Sequence, residues 1–415
     1  MKKAKLLIAA VFMAVSIGIP AKAVFAAAIT ITQEDFAAAC TTAPTKGITC
    51  NATDGRYTLA AGDYVLGGNV DLGTYNLGLA EAGDYSLDLG GHTLTTATDS
   101  NVNPNAVTVI NAGKTTAIKN GKITNTANGT KALAIGGATA TLTDVILTSD
   151  GNSAEIGDFG TTAANVTFNN VTSGSHIEVM GNSTLTINSG TYSDNMQGAI
   201  STSFSFDPVT FEMTGDGGHL IINGGIFTSE AGSAIYANGI GEKATVEING
   251  GTFTSEADTG LEVLGAKSVV ITGGTFTGLE AGLRLADYNN VVLSGGTFKA
   301  LGTEAGNGAV TALAENTDIL SKILASGYKY TDATATMGTL WTEPLAYLTN
   351  KNVSVVSDST EETIDLSTIG SPNSGASTKG SGSATTSTVA TLGASAAVIS
   401  GLYLGKKHLA KKSAK

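Results

Sequence analysis

A chain of 415 residues with only 14% charged side chains and a formal net charge of −12 repels nucleic acid phosphates, and no Lys/Arg-rich stretch interleaved with aromatics offsets that charge. Its 53 glycines stand beside only 6 prolines, which excludes collagen and Pro-rich linker architectures. With abundant Thr, Val and Ile, that glycine content points instead to many short strands joined by tight turns.

Residues 1–26, "MKKAKLLIAAVFMAVSIGIPAKAVFA", have a Lys-rich start, an apolar run from Leu6 to Ile19 and small residues at Ala21-Lys22-Ala23 and Val24-Phe25-Ala26. This is the grammar of a secretory signal peptide. The run is too short for a retained membrane helix and stops at Pro20. Export would place the only cysteines, Cys40 and Cys50, in a non-reducing compartment. A disulfide between them would close a small loop and contribute about 2–3 kcal/mol. No His or second Cys pair nearby suggests metal or redox work. Residues 27–63, which hold the pair, are expected to cap the first coil of the repeat that follows.

That repeat occupies residues 64–305. "INGGIFTSEAGSAIY" (222–236), "INGGTFTSEADTGLEV" (248–263), "ITGGTFTGLEAGLRL" (271–285) and "LSGGTFKALGTEAG" (293–306) are four copies of one phrase. Phe227, Phe253, Phe276 and Phe298 are spaced by 26, 23 and 22 residues, and "LTINSGTYS" (185–193) is a fifth copy with Tyr192 in the aromatic place. A period of this length marks a solenoid. Within a copy, short apolar-polar alternations such as Leu261-Glu262-Val263 are broken by Gly-Gly, so each coil reads as three short strands. The expected fold is all-β: a right-handed parallel β-helix of about 22-residue coils, ~4.8 Å apart. Like residues would then stack on like. The Phe residues would form a buried column, each ring contributing about 1.5–3 kcal/mol. Asn188, Asn223 and Asn249, just before the bend, would form an amide ladder. Leading strands are expected near Val107, Leu133, Ile156, Ile177, Ile200, Ile235, Leu261 and Leu283.

"YSLDLGGHTLTT" (85–96) followed by Gly-Gly-x-Phe coils resembles the pectate-lyase-like parallel β-helix proteins, especially the surface and adhesive members of bacterial cell envelopes. The resemblance covers roughly residues 55–305. It implies a fold that hosts lyases, hydrolases and plain adhesins alike. For the lyases it implies clustered Asp holding Ca²⁺, with an Arg or Lys as base.

Ile200 and Ile235 lie 35 residues apart, so "STSFSFDPVTFEMTGDGGH" (201–219) should leave the coil as a loop. After Leu301 the pattern changes. Residues 306–366 are expected to form a small C-terminal cap, with a helix carrying Leu313, Ile319, Leu320, Ile323 and Leu324, a stop at Gly327 and a closing strand at 352–358. Residues 367–388 read as a Ser/Thr/Gly linker, and 389–415 as an apolar segment with a basic tail. Linker motif, apolar run and basic tail resemble a sortase cell-wall sorting signal. Ser371-Pro372-Asn373-Ser374-Gly375 stands where that family has Leu-Pro-any-Thr-Gly, with Ser371 and Ser374 as departures. The apolar run would span only ~24 Å as a helix. Two readings stay open: sorting by a sortase-like enzyme to peptidoglycan, or a membrane anchor. Either one places the coils at the cell surface.

Chemistry-bearing residues are few. Glu178, Tyr236, Glu262 and Arg284 fall on the outward face of the leading strands and are the candidate ligand-binding residues. Glu262 and Arg284, one coil apart, are expected to pair as a solvated surface salt bridge worth about 0–1 kcal/mol. They are also the only catalytic candidates, should the chain be a polysaccharide lyase or glycoside hydrolase acting on an acidic polysaccharide. Glu230, Glu256 and Glu280 recur after the aromatic position (Glu304 follows the last copy), and a stacked column of them would take calcium, the one cofactor considered. The four His residues lack metal-ligand spacing, and no nucleophile elbow or phosphate loop is present. The expected function is a tethered, non-catalytic adhesin or display protein that binds glycans or neighbouring surfaces through many weak contacts. An acidic cluster with a basic residue in one cleft would favour an enzyme; a smooth Thr/Ser face would favour an adhesin.

Overall fold

The computed structural model describes residues 27–358, apart from 42–43, 99–103, 111–113, 158–162, 207–212, 215, 240–242, 289 and 341. The expected signal peptide, the linker with Ser371–Gly375 and the apolar tail lie outside the described residues. The fold is an all-β parallel solenoid of about 10 turns, with coils about 24 residues apart.

Three strands per coil build three parallel sheets. In the regular central coils a leading strand (Ile177–Met180, Ile200–Ser203, Ile235–Asn238) is followed by a middle strand (Thr184–Ile187, His219–Ile222, Ala244–Ile248). A third strand carries the aromatic (Gly190–Asp194, Ile226–Ser229, Thr252–Ser255). In the next coil the leading and middle strands merge into Thr259–Ile271. Inward residues stack in register: Ile177 on Ile200, Ile200 on Ile235, Ile235 on Leu261 and Leu261 on Leu283. One expected position shifts. Ala154, not Ile156, lies between Leu133 and Ile177, and Ile156 sits two residues on, between Ile135 and Val179. Both are inward and fully buried. Alternation alone therefore left the register free to slip by two, one full period of the pleat.

The aromatic column is present. Tyr192, Phe227, Phe253, Phe276 and Phe298 are all fully buried. Successive ring centroids are 4.9, 4.8, 4.6 and 5.0 Å apart, with planes within 11° of parallel. The Gly-Gly pair makes the bend before each ring possible. Gly225, Gly251, Gly274 and Gly296 have φ of 120, 115, 103 and 100°. A Cβ at Gly251 would also lie 3.1 Å from the Phe253 ring of its own coil. Beside this bend runs the amide ladder: Asn188 donates to Asn169 (2.8 Å), Asn223 to Asn188 (2.8 Å) and Asn249 to Asn223 (3.0 Å). The Thr272 hydroxyl closes it on Asn249 at 2.8 Å.

Both ends of the described stack are covered. At the N-terminal end, the strand Ile29–Ile31 pairs with Gly62–Leu66, and the helix Gln33–Thr41 follows. Sequence reading missed this helix, although Thr32 and Asp35 make one half of a capping box at its start. Thr32 precedes it, and the Asp35 carboxylate accepts the Thr32 backbone N–H at 2.8 Å. Burial works against Asp35 ionising, but Lys46 and the Thr32 bonds outweigh it and hold the carboxyl below its ordinary value. Phe36 packs edge-on to Tyr57, and the Cys40–Cys50 disulfide ties the helix to the strand Ile48–Asn51.

At the other end the stack is stopped by reversal of direction. Asn352–Ser357 runs antiparallel to Thr297–Ala300, with Val353 opposite Phe298, and Glu343–Leu348 runs antiparallel to Gly308–Leu313. The expected cap helix shrinks to Asp318–Lys322. Leu313 belongs instead to the last leading strand, because Gly308–Leu313 stacks on Ala281–Tyr288 and the period-2 pattern wins over helical spacing there. The expected loop begins after Ser203, later than sequence placed it. Ser205–Phe206 and Met213–Thr214 pair as a small hairpin outside the main sheet.

Candidate functional site: an acidic cleft around Arg284

The outward column of the leading sheet reads Glu155, Glu178, Ser201, Tyr236, Glu262, Arg284, Thr311. All four expected ligand-binding residues lie in it. Tyr236, Glu262 and Arg284 occupy consecutive rungs and meet. Glu178 is two rungs from Tyr236 and has its own partners, the Ser203 hydroxyl (2.8 Å) and the Asn152 amide (3.4 Å).

Arg284 is not the solvated partner expected of it. It is 7% exposed. Its Nη1 lies 3.0 Å from Asp258 and 3.5 Å from Glu262, and its Nη2 bonds Glu280. The correction has a structural cause. The next rung, Thr311, is 1% exposed and backs onto the antiparallel strand Glu343–Leu348, so Arg284 is enclosed on that side by the C-terminal cap. Sequence reading missed Asp258, because it lies in the turn before the strand and only the length of the Arg side chain joins them.

Ser233 ties the acids together. Its hydroxyl is 2.9 Å from Glu262, 3.1 Å from Asp258 and 2.8 Å from the Thr259 hydroxyl. The Ser233 hydroxyl proton serves one carboxylate at a time, while the Thr259 hydroxyl can donate to Ser233 and Arg284 donates to Asp258. Burial, then the Asp258 charge, pushes the Glu262 carboxyl above its ordinary value against the pull of Arg284. Burial works against the Arg284 charge, but the Glu280 bond and the charges of Asp258 and Glu262 hold its guanidinium above the ordinary value. Burial, with Glu262 and Asp258, also raises the Tyr236 phenol. Three carboxylates around one guanidinium leave a net negative site. The Arg284 Nε–H is buried and has no partner among the described residues.

These groups line a cleft of about 540 Å³, with Tyr236 among its walls and Leu340 of the C-terminal hairpin at its edge. The arrangement offers what a sugar site needs: an aromatic wall and carboxylates to accept hydroxyl protons.

The proposed calcium column does not run through all its members. Ser229 pairs with Ser255, which brings Glu230 beside Glu256. The next coil is offset: Thr259 pairs with Ala281, so Glu280 lies beside Asp258 and turns to Arg284. Glu304 is displaced again, because Ala281 pairs with Gly308. Among the described residues no group of three or more His, Cys, Asp or Glu side chains is arranged to hold a metal ion.

A second surface lies on the outer side of the aromatic sheet. Thr191, Ile226, Thr252, Thr275 and Thr297 form one outward column, and Ser193, Thr228, Thr254, Thr277 and Lys299 the other. This is the smooth Thr face that the repeat phrase encodes.

Among the described residues no helix is long and apolar enough to cross a membrane. Neither a family model, nor a curated protein, nor a solved structure matches the chain.

Proposed function

We propose that this is an exported, surface-tethered β-helical protein that holds glycan chains in the Arg284 cleft. The signal-peptide pattern and the disulfide support export. The linker, the Ser371–Gly375 motif and the basic tail support tethering at the C-terminal end, to peptidoglycan through a sortase-like enzyme or to the membrane. The pectate-lyase-like resemblance of the coils is consistent with a saccharide ligand. The observation that carries the glycan reading is that Tyr236, Asp258, Glu262, Glu280 and Arg284 line one cleft.

The charge of the cleft selects among glycans. A uronate would meet excess carboxylate, so neutral or amino sugars fit better than an acidic polysaccharide. Calorimetric titration with neutral, amino-sugar and uronate oligosaccharides tests this. Binding of the first two without the third is expected; preference for uronates, or no binding by any class, would sink the reading.

One observation favours a catalytic version. Glu262, whose carboxyl burial pushes above its ordinary value, shares one cleft with Asp258, and a pair of carboxyl groups is what glycoside hydrolysis uses. In that reading Glu262 protonates the leaving oxygen and Asp258 serves the water or the anomeric carbon. New reducing ends, lost in Glu262→Gln, would establish it; binding without turnover would leave the adhesin.

A further inference from the structure

A second constellation lies three to four coils away from Arg284 on the same sheet. His176, just before the strand Ile177–Met180, is 6% exposed, and Ser201 on the next rung is 8% exposed. The His176 Nδ1 is 2.6 Å from the Gly198 carbonyl, and its Nε2 is 2.8 Å from the Ser201 hydroxyl. A carbonyl can only accept, so Nδ1 carries the proton. In the neutral ring Nε2 then presents a lone pair, and Ser201 donates to it. The carbonyl is itself fixed. The buried Asp194 Oδ2 accepts the backbone N–H groups of Met196 (2.9 Å), Gln197 and Gly198 (2.9 Å), which locks the turn that ends at Gly198. Burial opposes the Asp194 charge, but those three bonds outweigh it and keep the carboxyl below its ordinary value.

We propose that Ser201 is an activated nucleophile and His176 its general base, forming a second site that cleaves carboxylic esters. His176, Asp194 and Gln197 line a cavity of about 470 Å³, enough for a small acyl group, and Ser201 meets it through its hydrogen bond to His176. The Gln197 side-chain amide is the donor we assign to the developing oxyanion. The Ser201 Oγ attacks the ester carbon while its proton passes to His176 Nε2. The bond to the alcohol oxygen breaks, and that oxygen takes the proton from His176 and leaves. Water then attacks the acyl carbon and gives a proton to His176, and the Ser201 Oγ–C bond breaks. Ser201 recovers its proton, and the products are one carboxylic acid and one alcohol.

Gln197 also lines the Arg284 cleft, so the two cavities adjoin. The ester that fits is therefore an O-acyl group on a glycan held in that cleft, a step that rests on the glycan-binding reading.

The test needs no glycan at first. The full chain is treated with a fluorophosphonate probe and mapped by mass, and 4-nitrophenyl acetate hydrolysis is followed in wild type, Ser201→Ala and His176→Gln. One adduct on Ser201 and a loss of at least about 100-fold in rate in both variants are expected. Ser201→Ala should fold, since Ala134 occupies the same outward column. An unlabelled Ser201 in folded wild type, or wild-type hydrolysis by Ser201→Ala, overturns the proposal. An O-acetylated oligosaccharide forms the second arm. Acetate release that requires Ser201 supports the sugar ester. Hydrolysis of the aryl ester alone overturns the sugar substrate while the nucleophile stands, whether or not the Arg284 cleft binds unacylated glycans.

Discussion

Two faces of the same solenoid obey opposite rules. On the aromatic sheet, like lies on like: Phe on Phe inside, Thr on Thr outside, with Asn on Asn at the adjoining bend. On the leading sheet one inside column keeps to Ile and Leu from Ile177 to Leu283, but the outward column changes at every rung from Ser201 to Tyr236, Glu262, Arg284 and Thr311. Repetition is what stacking physics rewards, because identical side chains on neighbouring rungs satisfy one another. A column that gives up that gain and gathers charges of both signs under partial burial needs another reason to exist. The uniform face is scaffold; the irregular one is where specific chemistry is concentrated.

The largest test breaks the scaffold. Phe253→Ala removes the ring between Phe227 and Phe276 and should cost about 3–5 kcal/mol, read as a drop in the thermal midpoint. Next comes Arg284→Met, which leaves Asp258, Glu262 and Glu280 without their cation. At neutral pH it should cost about 3 kcal/mol, and most of that should return in acid as the carboxylates protonate. A midpoint loss that does not shrink in acid would mean that Arg284 acts by packing alone. Breaking the amide ladder with Asn223→Ala should cost about 0.5–1.5 kcal/mol.

Glu262→Gln should go the other way. A carboxyl whose folded pKa is raised binds more protons folded than unfolded, so its contribution to stability falls as pH rises through the shifted range. The amide variant should melt slightly higher at neutral pH, by less than about 1 kcal/mol, and equal wild type in acid below the ordinary carboxyl range. The smallest effect is expected for Thr254→Val on the uniform face, within about 0.5 kcal/mol.

The same contrast explains what could be read without coordinates. The Gly-Gly-x-Phe phrase revealed the coil, the ring column and the amide ladder because each is a periodic feature. Glu262 and Arg284 were legible as a pair, since adjacent rungs follow from the period. Their burial was not, because it depends on the C-terminal hairpin, whose strands pair antiparallel outside the repeat. Asp258 and Ser233 reach the cluster from turns, where no alternation fixes direction. The Ser201–His176 contact joins residues 25 apart through a bend, and only the register between coils shows it. The capped helix Gln33–Thr41 carried a local signal in Thr32 and Asp35 that was there to be used.

Calorimetric titration of a neutral oligosaccharide into wild type, Tyr236→Ala and a Thr252→Ala/Thr254→Ala double variant sets the two faces against each other most directly. The irregular column is expected to hold the ligand, so Tyr236→Ala should weaken binding at least about tenfold, or 1.4 kcal/mol, while the double variant binds as wild type does. Unchanged binding in Tyr236→Ala with loss in the threonine variant would contradict this and move the function to the uniform face.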